Sequence, residues 1–474
     1  MGSAPSTTAD KRVAIIGGGA SGLVALEEAL EKGLDAQLYE AREEVGGAWL
    51  LSENPGPCLT TFDSDGLAML KAPDEDSDGP PPPTPMYPSL KTNVPSTLME
   101  YRSRPFPPTV PLFPGPAAIA AYVKDGARSL EHHISLSTRV TRLRWTTKED
   151  GGEQRKWFIE TKSTSTPDDP PTVAQFDFVI VANGHYSKPW IPLIEGLPTW
   201  SGEILHSRWY RSAEAFKDKT VLVLGNGASG YDATRECAVS IHERRLADPS
   251  AELPKIYQSA RSPSALGIPF DDPSAPDWAR EITVFPPIAK TEGKRITFVD
   301  GRTLEDVDVI LFATGYLFSF PFVDTSDAPF NKYPLTKQPP LPTGEQPNTP
   351  SEGGLRVRHL DSRDTFYHPD PTLALICLPY LVIPFSLAQI QSRLATAFWA
   401  GRIQLTIEPG VGEEVEEARA PLVWGHPKQF DSHDRWLEEL GEGEEGFGKW
   451  SKTSAAMRDL RQGAKGLRRA VLGY

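Results

Sequence analysis

Three cysteines in 474 residues, Cys58, Cys237 and Cys377, are too few and too scattered for a disulfide scaffold, a CxxC dithiol centre or a cysteine zinc site. Long apolar runs are missing as well. The longest, Leu373–Phe385, is too short to cross a bilayer and is broken by Pro379 and Pro384. Positive charge is scarce: 49 Lys and Arg face 63 Asp and Glu, a formal net charge of −14. That balance disfavours sequence-independent binding to phosphate backbones or anionic lipid, which needs a basic face. The start, MGSAPSTTADKR, has no apolar core of a secretory signal. These absences lead to the expectation of a soluble, cytoplasmic protein with no metal site, no nucleic-acid partner and no transmembrane segment. Gly2 with Ser6 fits the loose myristoylation pattern, a disordered tail being the plainer reading.

What is abundant is proline, 46 residues, about twice the usual share of about 5%. Most cluster in Ala72–Pro88, Ser262–Pro287 and Pro339–Pro350, which read as loops or polyproline segments. The expectation is that these insertions decorate the scaffold and that, with Pro321–Gly354, they shape substrate choice. Glu413–Glu417 (EEVEE) reads as a solvated charged stretch. The last twenty residues carry Arg458, Arg461, Lys465, Arg468 and Arg469 on an amphipathic helix, expected to be solvated, with membrane-surface contact as the alternative.

Hydrophobic residues make up 39% of the chain, enough for a buried core, and the length allows two or three domains. Two segments repeat one design. Arg12–Glu40 reads as strand Val13–Ile16, a glycine turn, helix Ala20–Lys32 and strand Asp35–Tyr39. Thr220–Gln258 reads as strand Val221–Leu224, a glycine turn, a helix from Ala228 and strand Lys255–Gln258. Each is a βαβ unit, so two parallel sheets are expected. Between them, His133–Thr147 alternates and Trp157–Lys162 reads as its hairpin partner. Phe178–Val181 and Val307–Phe312 read as buried strands.

Both glycine turns fit G-x-G-x-x-G between a strand and a helix, the setting in which backbone amides and a helix N-terminus hold a pyrophosphate. The first contains Gly17, Gly19, Ala20, Ser21 and Gly22, and Glu40 ends the next strand where a carboxylate binds ribose hydroxyls. A solvated strand-end acid is the plain alternative for Glu40. The second contains Gly225, Asn226, Gly227, Ala228, Ser229 and Gly230. No carboxylate ends its companion strand; Arg261 follows instead, suited to a 2′-phosphate, or else an ordinary surface arginine. FAD in the first unit and NADPH in the second is the economical assignment.

At this point the residues resemble the flavin-containing monooxygenases. Glu40–Trp49 (EAREEVGGAW), with Gly47 and Trp49, is similar to that family's stretch from the FAD-ribose acid to Gly-Gly-x-Trp. Tyr87–Phe106 resembles its loop with a Thr-Asn pair, here Thr92 and Asn93. The resemblance implies that Asn93 lies between flavin and nicotinamide and supports the oxygenated flavin. It also places Val140 by the adenine of FAD and Gln391 on the flavin side, with Gln389 where a glutamate is usual and Cys377 where a glycine is common. The fingerprint F-x-G-x-x-x-H-x-x-x-(Y/F)-K is met by Trp200, Gly202, His206, Tyr210 and Arg211, with two departures. Tyr210 stands where the related Baeyer–Villiger enzymes have Trp, and Phe312–Tyr316 (FATGY) is the intact interdomain motif.

The resemblance implies an α/β fold with two Rossmann-like dinucleotide-binding domains, the NADPH domain inserted into the FAD domain. Boundaries are expected at 1–200, 201–304 and 305–474. The implied activity is NADPH-dependent oxygenation of a nucleophilic nitrogen or sulfur in a small molecule, with molecular oxygen as co-substrate and a C4a-hydroperoxyflavin as oxidant. The rivals are a Baeyer–Villiger or uncoupled NADPH oxidase activity, a disulfide reductase (disfavoured by the missing CxxC) and a non-catalytic flavin-binding protein. A homodimer is compatible with the sequence.

Overall fold

The computed structural model describes residues 11–73, 75, 77–147, 155–262, 264, 267–341, 353–410, 422–442 and 450–473. Gly2, the Glu413–Glu417 run and most of the third proline cluster lie outside them.

Two five-stranded parallel sheets organise the chain. The first has the order Leu373–Leu375, Phe178–Val181, Arg12–Ile16, Asp35–Tyr39, Ile134–Ser135. The second has the order Glu203–His206, Val309–Phe312, Val221–Leu224, Ile256–Ser259, Ile282–Phe285. Covering both faces of a parallel sheet demands unbroken apolar strands, which is why Phe178–Val181, Val221–Leu224 and Val309–Phe312 are buried at every residue. After Val181 the chain leaves the first sheet, builds the second and returns as Leu373–Leu375. Val309–Phe312 lies inside the second sheet, between Glu203–His206 and Val221–Leu224. The boundary expected at 304 therefore falls before that sheet is finished, and the return crossing follows Phe312.

Helix Ala20–Glu31 covers the first sheet and packs on helix Pro384–Trp399, burying Leu23, Val24 and Leu26 with Ala388, Leu394 and Ala395. Thr138–Trp145 and Trp157–Ser163 pair as the alternation implies, and Thr172–Phe176 adds a third antiparallel strand. Val140, Leu143, Trp157 and Phe176 from this sheet seal the other face of the first.

Helix Ala455–Leu472 starts at Ser454, whose hydroxyl accepts the Met457 amide. It is docked rather than free-standing. Arg458 pairs with Asp431 and Asp434, Arg461 donates to the Leu381 carbonyl, and Ala464 and Arg468 are buried. An exposed pair such as Arg458–Asp431 contributes only about 0–1 kcal/mol, so the buried face holds the helix. Among the described residues, no helix is long and apolar enough to cross a membrane.

Candidate active site

Each glycine turn is a cradle that side chains would fill. Gly17 has φ +108°, and a Cβ there would stand 2.6 Å from the Ala182 carbonyl. At Gly22 a Cβ would meet the Gly17 carbonyl at 1.8 Å. The second turn repeats this: Gly225 has φ +99° and faces the Ala313 carbonyl at 2.5 Å, and Gly230 faces the Gly225 carbonyl at 2.1 Å. Ala182–Asn183–Gly184 and Ala313–Thr314–Gly315 thus close the two turns in the same way, a correspondence between the stretch after Phe178–Val181 and FATGY that the sequence reading missed. Helices Ala20–Glu31 and Ala228–Ala247 both begin without a side-chain cap or an acid in the first turn. Uncapped N–H groups and the helix dipole make both sites fit for an anion such as a pyrophosphate.

Glu40 is buried; its Oε2 accepts the Gly18 amide at 2.6 Å and its Oε1 the Arg42 amide at 2.8 Å. Burial raises its carboxyl above the ordinary range, against the pull of these two amides. The Gly46 amide binds the Gly18 carbonyl, and a Cβ on Gly47 would strike the Gly19 Cα at 2.7 Å. The Gly-Gly turn is thereby pressed onto the first glycine turn. Half-buried Trp49 sets its ring edge-on to Phe385. Val140 is buried in the antiparallel sheet at the bulge before Arg142.

Arg261 is exposed just beyond strand Ile256–Ser259 and, among the described residues, holds no carboxylate. Its loop is tied to the second turn: the Asn226 side-chain Nδ2 donates to the Ser262 carbonyl, and the Ser264 hydroxyl donates to the backbone carbonyl of Asn226.

Thr92 is buried, its amide donating to the Pro114 carbonyl at 3.1 Å and its hydroxyl to the Val94 carbonyl at 2.9 Å. Thr92 therefore shapes the loop, while the next side chain, Asn93, is exposed. The same loop reaches the second unit, where Tyr87 Oη donates to Asp232 at 2.7 Å and Ser89 to Glu236 at 2.7 Å, both on helix Ala228–Ala247. The loop that carries Asn93 thus bridges the two units, with Val94 in the core of the first and Tyr87 in that of the second.

Gln391 is wholly buried, its Oε1 accepting the Cys377 amide at 2.9 Å and its Nε2 donating to Thr365 at 2.8 Å. It holds Cys377 at φ +59°, the left-handed region, which accounts for a glycine being common there. The Cys377 thiol lies against Ser21 of the first turn, and burial pushes it up to about 12. Gln389 is equally internal, joining the Arg102 amide to Glu28 and Ser103.

The fingerprint residues stitch the crossing between sheets. A Cβ at Gly202 would meet the Trp200 ring at 2.6 Å. His206 is fully buried; Nδ1 accepts the Arg208 amide, leaving Nε2 to donate to the Gly315 carbonyl at 3.0 Å. Tyr210 donates to Glu236 at 2.6 Å, and Arg211 reaches the carbonyls of Ser52, Thr84, Arg208 and Tyr210.

The first proline cluster is not loose decoration. Glu75 pairs with buried Arg208 at 2.8 Å, Arg42 donates to the Pro82 carbonyl at 2.6 Å, and Arg139 to the Gly79 carbonyl at 2.8 Å. Lys162 holds Asp78 and Arg211 the Thr84 carbonyl. The insertion is strapped across the Glu40 end of the first sheet, and its acids opposite distant arginines were the only sign of this in the sequence.

A family model described as flavin-binding monooxygenase-like matches residues 10–62, 60–247 and 274–338, more than half of the chain. The chain belongs to the flavin-binding monooxygenase family. The flavin-containing monooxygenase ustF2 of Aspergillus flavus is 30% identical over 455 residues, covering 86% of this chain and 86% of that protein. The thiol-specific monooxygenase of Saccharomyces cerevisiae is 29% identical over 408 residues, covering 84% and 78%. Among solved structures, S-allyl-L-cysteine S-oxygenase from Allium sativum matches with a TM-score of 0.70 at 23% identity, covering 97% of this chain and 93% of that one. This flavin-binding monooxygenase is an oxidoreductase, and its two glycine cradles fit two dinucleotides.

Proposed function

We propose that the protein uses FAD and NADPH to transfer one atom of molecular oxygen to a soft nucleophile of a small molecule, sulfur foremost and amine nitrogen second. What supports this reading is the Asn93 loop: its backbone is pinned at Thr92, it reaches from the first unit to the helix of the second, and Asn93 itself is exposed. The names of the relatives, a thiol-specific monooxygenase among them, support sulfur. When bound, the flavin supplies hydride acceptance from NADPH and oxygen activation.

The chain supplies everything else. Glu40 takes the ribose hydroxyls of FAD, and the uncapped amides of Ala20, Ser21 and Gly22 take its pyrophosphate. Gly47 and Trp49 close over that turn, and Val140 lies on the adenine side. The second turn, Gly225–Gly230, takes the pyrophosphate of NADPH, and Arg261 its 2′-phosphate. Asn93 would hold the bound flavin's edge through its side-chain amide, which can both donate and accept, and its part is to keep water from the reacting oxygen. No side-chain general base is required, in keeping with His206 being spent on Gly315.

Asn93→Ala is expected to keep NADPH-driven flavin reduction within about twofold while most NADPH consumed appears as hydrogen peroxide. Paired assays of NADPH loss and peroxide check this, and full coupling in the variant rejects the assignment. A panel of a sulfide, a thiol, a tertiary amine and a ketone then fixes the nucleophile.

A further inference from the structure

The C-terminal helix reaches the proposed oxygenation site. Arg468, 5% exposed, donates from Nε to the Thr92 carbonyl at 3.1 Å, and its Nη2 lies 3.9 Å from Asp232 Oδ1. The Thr92 carbonyl belongs to the peptide whose N–H is that of Asn93, so this bond fixes the plane from which the Asn93 side chain springs. Asp232, also 5% exposed, takes the Tyr87 hydroxyl on its other oxygen and lies 3.6 Å from Arg235. It stands one turn into the helix that begins at the second glycine cradle. Ala464, one helical turn before Arg468, is the other buried residue of the helix, and its small side chain allows the close approach. The helix lies beyond residue 338, outside the stretch that the family model matches.

We infer that Arg468 is a positioning residue that locks the Thr92–Asn93 peptide and ties it, through Asp232, to the helix bearing the second nucleotide site. Asn93 is then held rigid by the C-terminal helix and kept in register with the nicotinamide nucleotide. This rests on the role given to Asn93 above.

The test uses the purified holoprotein and Arg468→Ala, Arg468→Lys and Arg461→Ala, the last removing another inward-turned arginine of the same helix. Hydrogen–deuterium exchange of segment 90–96 is read beside the fraction of NADPH converted to peroxide. Arg468→Ala is expected to raise exchange in 90–96 at least fivefold and the peroxide fraction at least threefold, with flavin reduction within twofold of wild type. Arg468→Lys is expected to recover about half of both effects, short of wild type, and Arg461→Ala to leave both near wild type. Unchanged exchange and peroxide in Arg468→Ala overturn the inference. So does an equal effect from Arg461→Ala, which assigns the change to helix docking in general. If Arg468→Ala does not fold, Arg468→Lys carries the test, since an ammonium cannot serve the carbonyl and Asp232 in one plane; wild-type exchange in that variant overturns the inference. Peroxide from Asn93→Ala with a silent Arg468→Ala rejects Arg468 alone. A silent Asn93→Ala rejects the reading of Asn93, and the exchange data still decide whether Arg468 orders the loop.

Discussion

Arg261 shows what a single residue can decide. It is exposed at the end of a strand with no acid beside it, and its loop is anchored to the second glycine turn through Asn226. A guanidinium can pair with a 2′-phosphate in two parallel hydrogen bonds, which NADH cannot offer. Arg261→Ala is therefore expected to raise KM for NADPH about tenfold or more, leave KM for NADH within twofold, and spare kcat. Steady-state kinetics with both nucleotides checks it, and an unchanged preference places the 2′-phosphate elsewhere. Other site residues were less legible. Glu40 and the glycines could be placed because their geometry is local, fixed within one turn and two strands. Gln391 could not be judged that way, because its partners, Cys377 and Thr365, are set by the packing of a helix on a strand.

At the scale of elements, the two βαβ units have equivalent geometry, and the proposed function gives them separate jobs. A methyl at Gly22 or Gly230 would approach a carbonyl oxygen within 1.8 or 2.1 Å, so helix and turn must part. Gly22→Ala is expected to yield colourless protein. Gly230→Ala should retain flavin but lose reduction by NADPH, checked by absorbance at the flavin band before and after adding NADPH. The docking of the C-terminal helix on helix Lys428–Glu439, which carries Asp434, has a pH dependence of its own. Burial alone would raise the Asp434 carboxyl, but His433, both donors of Thr453 and Arg458 hold it well below its usual range. The folded state therefore binds fewer protons here than the unfolded one near the ordinary carboxylate range. The stabilisation is complete above about pH 5 and fades as pH falls below about 4. Asp434→Asn should cost about 2 kcal/mol at pH 7, by loss of charge-assisted hydrogen bonds. The gap from wild type should narrow at pH 3.5, as urea midpoints at the two values will show. A constant gap excludes this carboxylate as its source.

Across the whole molecule, the insertion Ala72–Pro88 behaves as a strap. Its acids and carbonyls are gripped by Arg42, Arg139 and Lys162 around the first sheet and by Arg208 and Arg211 at the crossing between sheets. Glu75→Gln leaves Arg208 buried without its counter-charge, at a cost of roughly 3 kcal/mol. The expected result is FAD release several-fold faster on dilution, followed by flavin fluorescence. Release at the wild-type rate would show that the strap does not guard the FAD site.

By itself the sequence determined the two glycine turns, the strands beside them, the acid–arginine contrast of Glu40 and Arg261, and hence the α/β class and the flavin family. These features are legible because backbone curvature, strand burial and ligand charge are set over a few neighbouring residues. Only the tertiary structure decided that Val309–Phe312 completes the second sheet, that Gln391 faces inward, that the proline cluster is a strap and that Arg468 grips the Thr92 carbonyl. Each of those depends on partners far away in the chain, and a long-range contact leaves no periodicity or spacing in a single sequence to announce it.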